Sequence, residues 1–155
     1  MSNFDVAFEH VIGLEGGYNN DSSDPGGETK FGICKRQYPH IDIAKLTIED
    51  AKVIYKRDYW DMVKGDDLPE PLSAFVFDCA INQGVPVAIR LLQKTLNVVQ
   101  DGILGRVTLG AAGRMTRHDM AEFLAYRQLR YTGTRHFDKF GFNWFRRVII
   151  MAMDA

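Results

Sequence analysis

The sequence is poor in cysteine. It has two in 155 residues, Cys34 and Cys79. Two thiols exclude a disulfide framework, and neither belongs to a CxxC pair. Cys79 sits in the apolar run AFVFDCAI, which predicts a buried free thiol, and Cys34 reads as packing; reduced, cytosolic synthesis fits both. The four histidines, His10, His40, His118 and His136, are scattered without metal-ligand spacing, so no zinc site and no cofactor are expected. There is no GxSxG and no Cys–His arrangement for nucleophilic catalysis. Long hydrophobic runs are missing too. The longest late one, Val148 to Met153, is too short to span a bilayer. The first residues, MSNFDVAFEH, lack a positive stretch followed by an apolar one, so no signal peptide is expected. Repeats and low-complexity segments are absent.

What is present suits an ordered globular chain: 46% hydrophobic and 25% charged residues, enough to bury a core at this length. The net charge of −1 is unevenly spread. Residues 1–70 hold 14 acidic and 8 basic residues, residues 71–155 hold 6 and 11. A basic C-terminal half suits an anionic polymer or membrane surface, or simply a solvated arginine surface. No aromatic-interleaved basic motif points to nucleic acid.

Apolar spacing predicts a first helix over Asn3 to Glu15, through Phe4, Ala7, Phe8, Val11 and Ile12. Ser2 or Asn3 caps it and Gly16-Gly17 ends it. Residues 16–33 are turn-rich, and ETKFGI (28–33) pairs as a short strand in a small hairpin. TIED opens a second helix near Thr47, with Ala51, Ile54, Tyr55 and Met62 on its apolar side. LSAFVFDCAINQ (72–83) is apolar nearly all round, which predicts a central buried helix. Its exceptions, Asp78 and Asn82, share a face. Gly84 ends it, and Pro86 opens the next helix over 86–97. VQDGILGRVT turns into another helix, Thr116–Asp119 caps one running to Tyr131, and a last helix spans Asn143 to Met153. The fold class is therefore mainly α, with about seven helices around a central buried one and a single small β-hairpin.

The richest polar chemistry lies in LEGGYNNDSSDPGGETKFGI, residues 14–33. Phe8, Val11 and Glu15 stand at i, i+3 and i+7, so Glu15 continues the buried stripe of the first helix. The helix C-terminus and partial burial both disfavour negative charge there and favour the neutral acid, the form a general acid needs. Taken alone, Glu15 also reads as a half-exposed residue at a frayed helix end. Asp24 follows in a turn held by Pro25 and two glycines, and Thr29 on the expected strand. A hairpin folded back beside the helix end gathers all three. Glu15 then protonates a leaving oxygen, Asp24 activates a water, and Thr29 orients it, the two-carboxylate logic of glycoside hydrolysis; a carboxyl separation of about 6.5–9.5 Å would predict inversion. Asp24 reads also as an Asx-turn residue before proline, and Thr29 as a surface strand residue.

The block EGGYNNDSSDPGGETKFGI resembles the signature of glycoside hydrolase family 108, muramidases found among phage endolysins. Downstream, FVFDCAINQGVPVAIRLLQKTLNVVQDGILGRVT resembles the peptidoglycan domain associated with that family. The resemblance implies a lysozyme-like α+β fold, with a catalytic region over 1–85 and a peptidoglycan-domain-like region over 86–155 packed into one globular unit. It implies hydrolysis of the β-1,4 bond between N-acetylmuramic acid and N-acetylglucosamine, with Glu15 as the catalytic glutamate. The Glu–Asp–Thr spacing is similar to that of phage-type lysozymes, which supports Asp24 and Thr29. Glu28 departs from the small residue usual there and adds a carboxylate. A phage endolysin without an export signal waits in the host cytoplasm for a holin-type pore, then acts on periplasmic peptidoglycan.

Other residues suit a sugar-binding role. Tyr18, Phe31, Tyr59 and Trp60 offer ring faces to a pyranose, Tyr18 foremost. Asp78, Asn82 and Gln83 read either as cleft residues that bond an N-acetyl group or as a satisfied buried polar set. Arg114, Arg117, Arg127 and Arg130 form a basic group suited to anionic wall polymer. The terminal helix reads as core-docking rather than membrane-pressing. The expected partner is the glycan strand, bound by a monomer without nucleic acid or stable membrane insertion. Two competing readings stand: a non-catalytic peptidoglycan-binding module over 86–131, and a lytic transglycosylase.

Overall fold

Ser2, Thr47 and Thr116 open their helices in the same way. Each side-chain oxygen accepts the backbone N–H three residues on, and the aspartate there accepts the N–H of the cap: Ser2 with Asp5, Thr47 with Asp50, Thr116 with Asp119. These reciprocal boxes satisfy donors that a helix start leaves open. The computed structural model describes residues 1–15 and 17–155. Gly16, expected with Gly17 to end the first helix, lies outside the described residues.

The chain divides into two compact units, Met1–Asp58 and Tyr59–Ala155. In the first, α1 (Asn3–Leu14) buries Phe4, Ala7, Phe8 and Val11, the stripe its spacing predicts. The hairpin follows as β1 (Thr29–Lys30) and β2 (Ile33–Cys34), paired antiparallel. ETKFGI is thus not one strand. It folds on itself, with Phe31 and Gly32 as a two-residue turn at φ 52° and 77°. Positive φ at both positions is the hairpin geometry that matches strand twist. Glycine takes it freely, whereas phenylalanine is strained there. Helix α2 (Ile48–Tyr55) buries Ala51, Ile54 and Tyr55, and the Tyr55 ring lies 5.8 Å from that of Phe8. Met62, expected on the same apolar side, is exposed beyond the wider π-helical turn Lys56–Trp60.

The second unit is helical. Helix α3 (Leu72–Gln83) buries every residue from Phe75 to Ala80, as its all-round apolarity requires. Gly84, at φ 98°, turns the chain into α4 (Val85–Thr95). Then come α5 (Arg106–Ala112), α6 (Arg117–Thr132) and α7 (Phe137–Asp154). The last begins two turns earlier than expected. Gly141 falls within this added stretch and lies under the Phe137 ring, where a Cβ would collide. The glycine admits an aromatic side chain instead of stopping the helix. Among the described residues there are seven α-helices and one two-stranded sheet, the mainly α class expected.

Candidate active site

Glu15 is the C-cap of α1. Its N–H still donates to the Val11 carbonyl at 3.0 Å, but its own backbone is extended at φ −85° and ψ 143°. The side chain is half-buried and packs on the hairpin turn. A Cβ added at Gly32 would lie 3.0 Å from both Cγ and Cδ of Glu15. The same Cβ would run into the Tyr55 hydroxyl, which donates to the Phe31 carbonyl at 2.8 Å. Helix end, hairpin turn and α2 therefore meet around one carboxyl group, and only a residue without a side chain fits between them.

The loop leading to the hairpin is cross-tied along its length. Asn19 and Thr29 exchange backbone hydrogen bonds at 2.8 and 2.7 Å, Lys35 N–H donates to the Glu28 carbonyl at 2.8 Å, and Arg36 N–H to that of Gly26 at 3.1 Å. Thr29 thus sits between Asn19 on one side and Cys34 on the other, and its hydroxyl donates to the Gly27 carbonyl at 3.2 Å. Asp24 is exposed, and its Oδ1 accepts the Gly26 N–H at 2.8 Å. This is the Asx turn that its sequence also suggested; Oδ2 makes no hydrogen bond among the described residues. Glu28, the added carboxylate, accepts the Tyr18 hydroxyl at 2.6 Å. That bond raises the Tyr18 phenol above its usual range by holding its proton. The chemistry of the first unit is thus Glu15 against the hairpin turn, Asp24 and Glu28 on a tied loop, and Thr29 in its paired strand.

The candidates of the second unit are used differently. Asp78 is wholly buried. Its Oδ2 lies 2.7 Å from Arg127 Nη2, and Arg147 Nη2 donates to its Oδ1 at 2.6 Å. Burial by itself drives this carboxyl up, but the charges of Arg127 and Arg147 together outweigh it and hold Asp78 below the usual carboxylate range. An aspartate closed off by two guanidinium groups is a structural ion, not a sugar contact. The expectation that Arg127 belongs to a surface basic group is corrected by the same pairing, since Arg127 is also wholly buried. Asn82 shares the face of Asp78 as predicted, and its Oδ1 accepts the Tyr131 hydroxyl. Gln83 donates to the Arg127 carbonyl at 3.1 Å, while its Oε1 is buried without a hydrogen-bond partner among the described residues. Tyr59 is half-buried against the helical core. Trp60 is no sugar platform. It is wholly buried, with its indole N–H donating to Asp66 at 3.0 Å.

Sequence reasoning missed Tyr55, Gly32 and the pairing of Tyr18 with Glu28. Tyr55 reads as one more apolar residue of α2. The available signal was its hydroxyl, which must find a partner when the ring is buried.

The downstream motif also has a physical reading. Gln93 is wholly buried. Its amide donates to Asp101 Oδ1 at 2.8 Å, to the Ile103 carbonyl at 3.0 Å and to Thr108 Oγ1 at 3.2 Å, and its Oε1 accepts the Gly102 N–H at 2.9 Å. The glutamine and the D-G and T of DGILGRVT form one internal knot that fixes the loop between α4 and α5.

A family model described as Glycosyl hydrolase 108 matches residues 8–84, a range that contains Glu15, Asp24 and Thr29. The solved structure of SagA from Brucella abortus is 34% identical to this chain, with a TM-score of 0.88 over 97% of this chain and 92% of that one. Among curated proteins none matches the chain.

Proposed function

The chain belongs to the glycosyl hydrolase 108 family and is a glycoside hydrolase of peptidoglycan; from that premise we infer that it is a muramidase, cutting the β-1,4 bond between N-acetylmuramic acid and N-acetylglucosamine. The observation that carries this reading is the seat of Glu15, half-buried at a helix end and packed on a glycine that leaves no room for a side chain. A general acid must be aimed, and packing on a fixed turn aims it.

Glu15 gives its proton to the bridging oxygen as the glycosidic bond breaks. The developing positive charge on the sugar is met by water and a carboxylate. Asp24 is the favoured partner: its Oδ2, which makes no hydrogen bond among the described residues, takes the proton that the attacking water gives up, while Oδ1 anchors the loop. Thr29 donates to Gly27, so its oxygen accepts a hydrogen from the attacking water and orients it. Tyr18 and Glu28, joined at the exposed loop surface, present a ring and an acceptor to the sugar.

The resemblance of the EGGY and DPGG blocks to endolysin signatures supports a role in host lysis by a phage. The enzyme would await a holin-type pore in the host cytoplasm and act as a monomer on periplasmic wall.

The test is Glu15→Gln in the full chain. Turbidity clearing of permeabilised cells should fall at least about a hundredfold, while binding to purified sacculi persists. Mass spectrometry of wild-type digests should give reducing muramic ends. Undiminished clearing by the variant would remove the acid, and 1,6-anhydro ends would make the enzyme a lytic transglycosylase.

A further inference from the structure

Helix α7 has two faces. One docks: Val148 and Met151 are buried in the helical core, with Trp144 and Phe145 packed against it. The other carries large apolar side chains in the open. Phe142 is 80% exposed, Ile149 52% and Met153 79%. At 100° per residue these three fall within roughly 40° of one another, so they form a stripe rather than scattered residues. Lys139 and Arg146 lie on the same stripe, within an arc of roughly 80° that holds all five. Three apolar residues interleaved with two cations are costly to leave in water without a use.

The charge on this face narrows the choice of partner. Arg135, Lys139 and Arg146 make no ion pair among the described residues, and the Lys139 ammonium lies over the Phe140 ring at 5.1 Å. Arg147 is turned inward to Asp78. The carboxylates nearby are Asp138, at the stripe's edge, and Asp154, at the helix end. Cations therefore outnumber acids on the exposed face. A second copy would bring the same cations against themselves. An anionic lipid surface matches both halves of the pattern, since phosphates meet the cations and the acyl boundary takes the apolar side chains. No helix among the described residues is long and apolar enough to cross a membrane, so α7 would lie along the surface.

We propose that the outward face of α7 docks reversibly on an anionic phospholipid surface, with Phe142, Ile149 and Met153 at the headgroup boundary and Lys139 and Arg146 on the lipid phosphates. This is independent of the bond that the enzyme cuts. It gives the protein a second surface, one that would hold it against the membrane that borders the wall.

The experiment is co-sedimentation of the full chain with vesicles of mixed phosphatidylglycerol and phosphatidylcholine, against vesicles of phosphatidylcholine alone. The anionic vesicles should bind at least about tenfold more tightly, and binding should weaken as salt rises from about 50 to about 500 mM. Phe142→Ser should lower binding roughly tenfold or more. Lys139→Gln with Arg146→Gln should lower it about 25-fold, at about fivefold per cation. Ile149→Ser gives a second reading on the same stripe. All four residues are exposed, and cleavage of lipid-free sacculi by the variants should equal that of the wild type, which separates this proposal from the muramidase reading. Equal binding to both vesicle types, no binding by the wild type, or binding undiminished by Phe142→Ser would overturn it. So would a wild-type dimer in sedimentation velocity that Phe142→Ser makes monomeric, because the stripe would then serve a second copy.

Discussion

Gly32 packs against Glu15: a Cβ on the glycine would stand 3.0 Å from the Glu15 carboxyl carbon and would also collide with the Tyr55 hydroxyl. The turn and the acid are one device. Backbone occupies the place of a side chain, and that fixes where the carboxyl can lie.

Gly32→Ala tests this device. The substitution combines a left-handed backbone at φ 77° with two steric conflicts. Stability should fall by about 1–3 kcal/mol. Activity should fall more than unfolding explains, by tenfold or more in kcat at a temperature where the variant is fully folded, because the acid is displaced. Urea titration and turnover on the same preparation check it. Full activity would show that the contact does not aim Glu15.

Asp78 predicts an acid limit to stability. Its folded carboxyl lies below the usual range, so on acidification the unfolded chain takes up the proton first. The contribution is complete above about pH 4 and is lost as pH falls through the folded value. Urea midpoints between about pH 7 and 3 should drop more steeply in the wild type than in Asp78→Asn. At neutral pH that variant should lose about 3–5 kcal/mol, because two guanidinium groups keep their burial and lose their counter-charge. Equal slopes would mean that the buried pair does not govern the acid transition.

The two thiols should behave differently. Burial pushes the Cys79 thiol up to about 11, whereas Cys34 is half-buried. Thiolate is the reactive form. A disulfide reagent at about pH 8 should therefore modify Cys34 alone in the native protein, and both residues in denaturant. Two fast-reacting native thiols would refute the placement of Cys79.

Gln93 should matter more than its lack of catalytic chemistry suggests. Its side chain makes four hydrogen bonds in a wholly buried position. Gln93→Leu strands the Gly102 N–H and one acceptor of Asp101, and should cost about 2–4 kcal/mol. Loss should be confined to stability, with kcat on soluble glycan unchanged at low temperature.

Much of this architecture is written locally. The capping boxes at Ser2, Thr47 and Thr116 and the all-round apolarity of residues 72–83 name their helices without reference to distant parts of the chain, since each depends on residues within a turn or two. The family signature likewise places Glu15, Asp24 and Thr29 in order. Two local readings misled. The last helix reads as starting only at Asn143, because the fit of Gly141 under the Phe137 ring is not visible in the local pattern, and ETKFGI reads as one strand because nothing local shows Phe31 taking positive φ.

The chain by itself thus determined where the capped helices start, which face of each is apolar, and which block resembles the family signature. Tertiary structure alone decided the rest. It closed Asp78 between two arginines that lie 49 and 69 residues away along the chain. It brought the Tyr55 hydroxyl and Gly32 to Glu15, and it left one stripe of α7 uncovered. The physical reason is common to all three. Periodicity states that a side chain turns inward or outward, but the charge, hydroxyl or empty space that it meets there belongs to another segment.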